Sequence, residues 1–299
     1  IVNRKFIMNI LITGGAGFIG SHLAEYLVKR QGHSVAVIDD LSTGSMDNLA
    51  ALKGSENFRF IEGSVCDSQL VNDAVSNCDQ IYHMAAAVGV RLIAEKPVHT
   101  IETNITGTET ILEAANKFNR RILIASSSEV YGKNDSIPFK EEDDLVLGKT
   151  TLSRWSYACS KAIDEFLGLA FHQQFGLEVI IGRFFNTIGP RQTGRYGMVV
   201  PSFIQQALKN EDLSIYGNGT QTRCFCHVED LIKAVTSLMD TPDTAGEVFN
   251  IGSGEEISIE QLADKIIKKT NSKSSKRFLT YQQAYGRAIE DMMRRVPDR

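Results

Sequence analysis

The stretch Ile7-Met8-Asn9-Ile10-Leu11-Ile12-Thr13-Gly14-Gly15-Ala16-Gly17-Phe18-Ile19-Gly20 decides the fold. An apolar run ends abruptly in glycines at 14, 17 and 20, and an amphipathic pattern follows to about Arg30. A glycine triad alone is weak evidence, but between a strand and a helix it has a mechanism. The glycines permit a tight turn, let the backbone approach a pyrophosphate, and let the helix pack closely on the sheet. The helix start then offers free amides and a favourable dipole to the phosphates. Gly14, Gly17 and Gly20, with Phe18 and Ile19 between them, are candidate cofactor-binding residues.

Outward from this turn, a second strand over 34–38 ends in Asp39-Asp40. An acid about 20 residues past the glycines suits the ribose hydroxyls of NAD and would repel a 2′-phosphate. Asp39 is the favoured partner, and no arginine stands immediately beyond it, so NAD is expected over NADP. Further strands are expected at 58–61, 80–84, 121–125 and 177–184, with helical stretches between them. That alternation is the signature of a parallel, doubly wound α/β sheet of the Rossmann type. Val65 and Asp67 follow the third strand, where an acid would meet the adenine. Ala85 and Ala87 follow the fourth and are small enough to let a dinucleotide lie close. Residues 1–185 are therefore expected to form an NAD-binding domain, and 186–299 a smaller α/β substrate lobe, with 226–250 returning to the first domain.

The 299 residues, 42% hydrophobic and 23% charged, suffice for a sizeable core and argue against disorder. A net charge of −4 gives no support to nucleic-acid binding. Cysteines 66, 78, 159, 224 and 226 are odd in number and lack a CxxC pair, which reads as reduced cytoplasmic thiols with no disulfide framework and no metal site. Arg4 and Lys5 before an apolar run imitate a signal peptide, but the run is short and glycines stand where a cleavage site is needed. Met8 reads as a natural start, which makes the first seven residues an extension. No apolar stretch approaches the roughly 20 residues that span a membrane.

The chemistry gathers in the middle of the chain. Tyr157 and Lys161 stand four apart in a helix expected over 153–175, so both project from one face. A free phenol, with a pKa of about 10, is a poor base at neutral pH, and a nearby ammonium favours its ionised form. Ser127 and Glu129 follow the fifth strand, and in an extended backbone they face the same side. If that side faces the Tyr157 helix, a hydroxyl, a phenol, an ammonium and a carboxylate converge where ligands of such sheets sit.

The glycine triad, Ser127-Ser128-Glu129-Val130-Tyr131-Gly132 and Tyr157-x-x-x-Lys161, in this order, resemble the extended short-chain dehydrogenase/reductase superfamily of nucleotide-sugar enzymes. The resemblance implies that NAD takes a hydride from the sugar C4 and later returns it. Tyr157 would be the acid/base, Lys161 its partner and a holder of the nicotinamide ribose, and Ser127 a donor to the C4 oxygen. Simple 4-epimerases usually carry a small or apolar residue in place of Glu129, and 4,6-dehydratases carry an acid where Ser128 stands. Ser128-Glu129 instead resembles the UDP-glucuronate decarboxylases.

Ser153-Arg154-Trp155-Ser156-Tyr157, Gln221-Thr222-Arg223-Cys224-Phe225 and the late Tyr285-Gly286, Asp291 and Arg295 are similar to elements of the same group. By that resemblance Arg223 and Glu129 orient a substrate carboxylate and manage a water or proton. Ser128, Asn186, Arg191, Val199, Tyr216, Tyr285 and Arg287 complete the set expected to bind the UDP-sugar. Asn186 reads equally as a turn former, and Val199 and Tyr216 equally as core. A homodimer through the helices near 97–118 and 153–175 is implied in the same way. The rival readings are a UDP-sugar 4-epimerase and a non-catalytic NAD-sensing protein.

Overall fold

The structure, a computed structural model, describes residues 7–89, 96–194, 197–285, 290 and 292–298. Its centre is one seven-stranded sheet in which every neighbouring pair is parallel. In chain order its strands are β1 (Asn9–Thr13), β2 (Ser34–Asp39), β3 (Phe58–Glu62), β4 (Gln80–His83), β5 (Arg121–Ser127), β6 (Val179–Phe184) and β11 (Val248–Ile251). In space they run β11-β6-β5-β4-β1-β2-β3. Parallel strands need crossovers, so helices cover both faces and the strands read as near-continuous apolar runs.

Side chains alternate between the faces. Ile10 and Ile12 pack with Leu23 and Leu27 around α1 (Phe18–Tyr26) and with Leu231 and Val235 of α6 (Val228–Asp240). Leu11 and Ile124 pack on the other face with Val71 of α2 (Ser68–Ser76) and Ile111 of α3 (Pro97–Phe118). The long helix α4 (Arg154–Phe175) lies beside α3.

The strand order reverses between β1 and β4, which is where open α/β sheets bind ligands. Gly14 sits there with φ +70° and its amide bonded to Ile38 O at 2.8 Å. A Cβ on it would lie 2.7 Å from the Ala85 backbone. The α1 helix then begins at Gly17 with no side-chain cap.

Beyond the central sheet the described residues form three two-stranded sheets: β7 (Thr187–Ile188) with β10 (Cys226–His227), β9 (Thr222–Cys224) with β12 (Glu256–Ser258), and β8 (Leu213–Tyr216) with β13 (Lys276–Leu279). Phe203 of α5 (Val199–Leu208), Ile215 and Leu262 of α7 (Ile259–Thr270) form a core cluster of their own. The short α8 (Tyr281–Tyr285) follows. The segment 226–250 contributes α6, which packs on α1, and leads into β11, which pairs with β6.

Two elements have little local sequence signal. Lys276 opens β13, its charge held by Glu260 and Asp264 at 2.9 Å each. β11 is a four-residue edge strand with no periodicity to announce it. Among the described residues no helix is long and apolar enough to cross a membrane, and no His/Cys/Asp/Glu group could hold a metal ion.

The Gly14 geometry makes a test. Gly14→Ala forces a left-handed residue and a backbone clash together, so a loss of about 2 kcal/mol or more is expected. Thermal unfolding measures it, and NAD affinity should fall with it.

Candidate active site

The carboxyl end of β5 turns into a short 3-10 helix, Ser128–Tyr131, capped by Ser127, whose Oγ accepts from Glu129 N at 3.3 Å. This turn faces the first turns of α4. The Tyr157 hydroxyl hydrogen-bonds Ser127, and the phenol lies in the fields of Lys161, Glu129 and Asp164. Ser127, Glu129, Tyr157 and Lys161 thus come together.

Their balance differs from expectation. Burial dominates and pushes the Tyr157 phenol above its ordinary 10.0; Lys161 and the Ser127 hydrogen bond pull it down, while Glu129 and Asp164 push it up. Lys161 is 2% exposed and bonds Asp164 Oδ2 at 2.9 Å.

Glu129 occupies a nest of cations. Arg154 meets it at 3.0 Å and Arg295 at 2.6 Å, and all three side chains are 7 to 12% exposed. Burial alone would raise the carboxyl, but Arg154 and Arg295, with Arg223 behind them, hold it down at about 2. The arginines thus favour Glu129 as an anion. Arg295 also donates to Asn186 Oδ1 at 2.9 Å, and Asn186 Nδ2 donates to Cys224 O at 3.0 Å. Asn186 is thus a strut between β9 and Arg295. Arg223, on β9, is buried and donates to Thr222 O at 2.7 Å.

Beneath the site, Arg183 of β6 grips Glu165 of α4 through Nε and Nη2 at 2.8 to 3.2 Å. The Ser126 hydroxyl donates to the same carboxylate. Arg183 Nη1 donates to the Tyr131 hydroxyl at 2.8 Å, which donates to Asn250 Oδ1 at 2.8 Å.

The residues at the switch point fit NAD. The bare approach of Gly14 to Ala85 would be filled by any Cβ, and the start of α1 presents uncapped amides. Asp39, at the end of β2, accepts from Ala16 N and Leu41 N at 2.9 Å each, and burial pushes its carboxyl above 3.8 against those bonds. Ala87 N donates to Asn104 Oδ1 at 2.8 Å, and Asn104 also donates to Ser160 at 3.1 Å, so α3 fixes the strand end. Asp67 caps α2, its Oδ1 accepting from Gln69 and Leu70, and Val65 is buried against Gly107.

The other expected residues have these places. Arg191, at φ +65°, bonds Ser21 and Glu25 of α1. Val199 packs on the cluster around Phe203, and Tyr216 ends β8 half-buried. Ser128 is 1% exposed, and its hydroxyl finds no hydrogen-bond partner among the described residues. Gly286, Arg287, Asp291 and the Tyr285 side chain lie outside the described residues. Sequence reasoning did not assign Arg154, Asp164 or Arg295 a role. The i,i+3 spacing of Lys161 and Asp164 was a usable signal; the Arg295–Glu129 contact spans 166 residues and had none.

Comparison with known proteins shows the family. The family model described as GDP-mannose 4,6 dehydratase matches residues 11–298. The chain is 44% identical over 289 residues to a UDP-N-acetyl-alpha-D-glucosaminuronate decarboxylase of Bacillus cytotoxicus, covering 96% of this chain and 88% of that one. It is 38% identical over 273 residues to UDP-glucuronic acid decarboxylase 5 of Arabidopsis thaliana, covering 90% and 77%. A solved UDP-glucuronic acid 4-epimerase from Bacillus cereus, in complex with UDP-glucuronic acid and NAD, superposes with a TM-score of 0.87 at 29% identity, covering 97% and 90%.

The charge nest yields a pH signature. Glu129 is depressed from 4.5 to about 2, so its contribution is present above pH 4.5 and lost as pH falls toward 2. Glu129→Gln should lose about 3 kcal/mol at pH 7, and the gap to wild type should close as pH falls below about 4.5. Urea unfolding at stepped pH measures that gap.

Proposed function

Since the chain belongs to the GDP-mannose 4,6 dehydratase family of NAD-dependent nucleotide-sugar enzymes, we propose that it decarboxylates a UDP-hexuronate, with UDP-glucuronate the first candidate and the UDP-xylose skeleton as product. The observation that carries this reading is the arginine cluster beside the Tyr157–Ser127 pair: Arg154 and Arg295 bond Glu129, with Arg223 behind them. Such a cluster fits a substrate that brings a carboxylate, and both decarboxylase relatives are named for hexuronates.

Bound NAD would supply the hydride acceptor for the sugar C4 and later the hydride donor. The chain does the rest. Tyr157 takes the proton of the C4 hydroxyl while Ser127 holds its oxygen. The resulting ketone lies β to the C6 carboxylate, so the C5–C6 bond breaks, its electron pair moves toward O4, and carbon dioxide leaves. Tyr157 and Ser127 then stabilise the O4 oxyanion. Glu129 and the arginines orient the carboxylate, and C5 takes a proton from an acid or water of the site. Tyr157 finally returns its proton to O4.

The runner-up is 4-epimerisation of the same UDP-hexuronate, favoured by the likeness to the Bacillus cereus enzyme. Mass spectrometry of UDP-glucuronate and UDP-N-acetylglucosaminuronate, each incubated with pure protein and NAD, separates the two. A product lighter by one carbon dioxide is expected, and Tyr157→Phe should slow it by at least about 10²-fold. An isomer of unchanged mass would sink the decarboxylase and establish the epimerase. No turnover of either sugar would favour the NAD-sensing rival.

The assembly and compartment belong to the same proposal. Val98 and Ile101 on α3, with Ile163 and Phe166 on α4, are 38 to 69% exposed, which supports a homodimer through these helices. Phe166→Glu should shift the sedimentation of the protein from dimer to monomer; an unchanged dimer would place the interface elsewhere. All five cysteines are free, and burial pushes the Cys78 and Cys224 thiols up to about 12 and about 11. Such inert thiols fit a reducing cytoplasm.

A further inference from the structure

Lys161 enters the site with almost no access to water. It is 2% exposed and Asp164, three residues on along α4, is 0% exposed. An isolated ammonium at that depth would give up its proton sooner than remain charged. What holds the charge is therefore a real question, and the surrounding groups answer it.

Glu165 is committed to Arg183 through both oxygens. Glu129 is committed to Arg154 and Arg295. His83, on β4, is wedged between Thr13 and Thr108, and burial holds it neutral, down to about 3. Burial pushes the Tyr157 phenol up, and Lys161 pulls it down. Asp164 is left as the acid that bonds Lys161 among the described residues, at 2.9 Å. Its other oxygen, Oδ1, is buried without a hydrogen-bond partner among the described residues. A half-satisfied buried carboxylate is costly and makes a poor packing residue. Its paired interaction goes to the ammonium.

We propose that Asp164 is a positioning residue of the reaction: its buried carboxylate keeps Lys161 charged and aimed within the site, so that the ammonium acts on Tyr157. The energetic balance agrees. Burial pulls Lys161 down, and Asp164 leads the partners that carry it above its ordinary 10.5, followed by Tyr157 and Glu165. Without the Asp164 charge, burial wins and Lys161 loses its proton at lower pH. A neutral amine no longer helps Tyr157 ionise. The catalytic consequence rests on the proposed decarboxylation; the pairing itself does not.

Asp164→Asn keeps the shape and a hydrogen-bond acceptor while removing the charge. In the NAD-loaded enzyme turning over UDP-glucuronate, the alkaline limb of kcat against pH should move down by at least about one unit, with KM little changed. In the cofactor-free protein, thermal unfolding gives a readout independent of activity. Wild-type Lys161, raised above its unfolded value, stabilises below that value and loses this as pH rises through the folded one. In Asp164→Asn the folded value is depressed, so the variant is penalised at neutral pH and relieved as pH rises. The Tm gap between the two should be widest near neutrality and close in alkali.

A pH-independent gap together with a kcat profile merely scaled down would overturn the proposal and leave Asp164 a structural residue. If Asp164→Asn does not fold, Lys161→Met/Asp164→Leu decides. That pair leaves no unpaired charge and should fold; its failure as well would overturn the proposal. Should wild type show no turnover at all, the proposed function falls, and the Tm gap still tests the pairing.

Discussion

Arg183 and Glu165 join β6 to α4 through a doubly bonded, buried ion pair, and the rest of the site takes its position from it. The same carboxylate accepts from Ser126, and the same guanidinium donates to Tyr131 and to Glu141 O. Tyr131 passes the contact on to Asn250 in β11. Ser126 precedes Ser127, and Glu165 follows Asp164 and lies one turn from Lys161. One cation therefore sets the register between the strand end carrying the hydroxyl and the helix carrying the phenol and ammonium. A buried pair contributes little net stability over apolar packing, while breaking it costs about 3 to 5 kcal/mol. Its value here lies in specifying one arrangement of β5, β6 and α4.

Above that frame the charges divide into two groups of opposite character. Glu165–Arg183 and Asp164–Lys161 are each neutral as pairs and shut away from water. Around Glu129 the nest is drawn from α4, β9 and the late segment carrying Arg295. Its cations are tolerable at low exposure in part because Glu129 offsets charge there.

The sheet was legible because its strands are buried on both faces, and burial on both faces writes itself as unbroken apolar runs. The glycine turn and Asp39 were legible because a cofactor constrains backbone at fixed spacing. Tyr157 and Lys161 were legible because a helix places i and i+4 together. What was not legible is pairing across the chain. Arg295 reaches Glu129, and Asn186 reaches both Arg295 and Cys224, through contacts that no local pattern encodes. Asn186, a candidate substrate residue or turn former, also braces Arg295 against β9. The Tyr157 phenol was expected to be lowered by Lys161, but spacing cannot weigh burial, and burial wins. β13 was hidden because its first residue is a lysine whose charge is neutralised only in three dimensions, by Glu260 and Asp264.

Decarboxylation moves charge, and the site is arranged along the direction of that movement. A hexuronate brings its negative charge on C6; once the C4 ketone forms and carbon dioxide departs, the charge sits on O4. Glu129 lies in the field of the arginines and itself acts on the Tyr157 phenol. Binding the departing carboxylate too tightly would stabilise the ground state and slow its loss. Glu129, between Arg154 and Arg295, competes for the same guanidiniums and limits that grip. An epimerase has no charge to move, since its keto-sugar only turns over, and a carboxylate clamped in such a nest would resist that rotation. The same cations thus favour entry of a hexuronate, weigh against its rotation, and leave the O4 oxyanion to the phenol and hydroxyl.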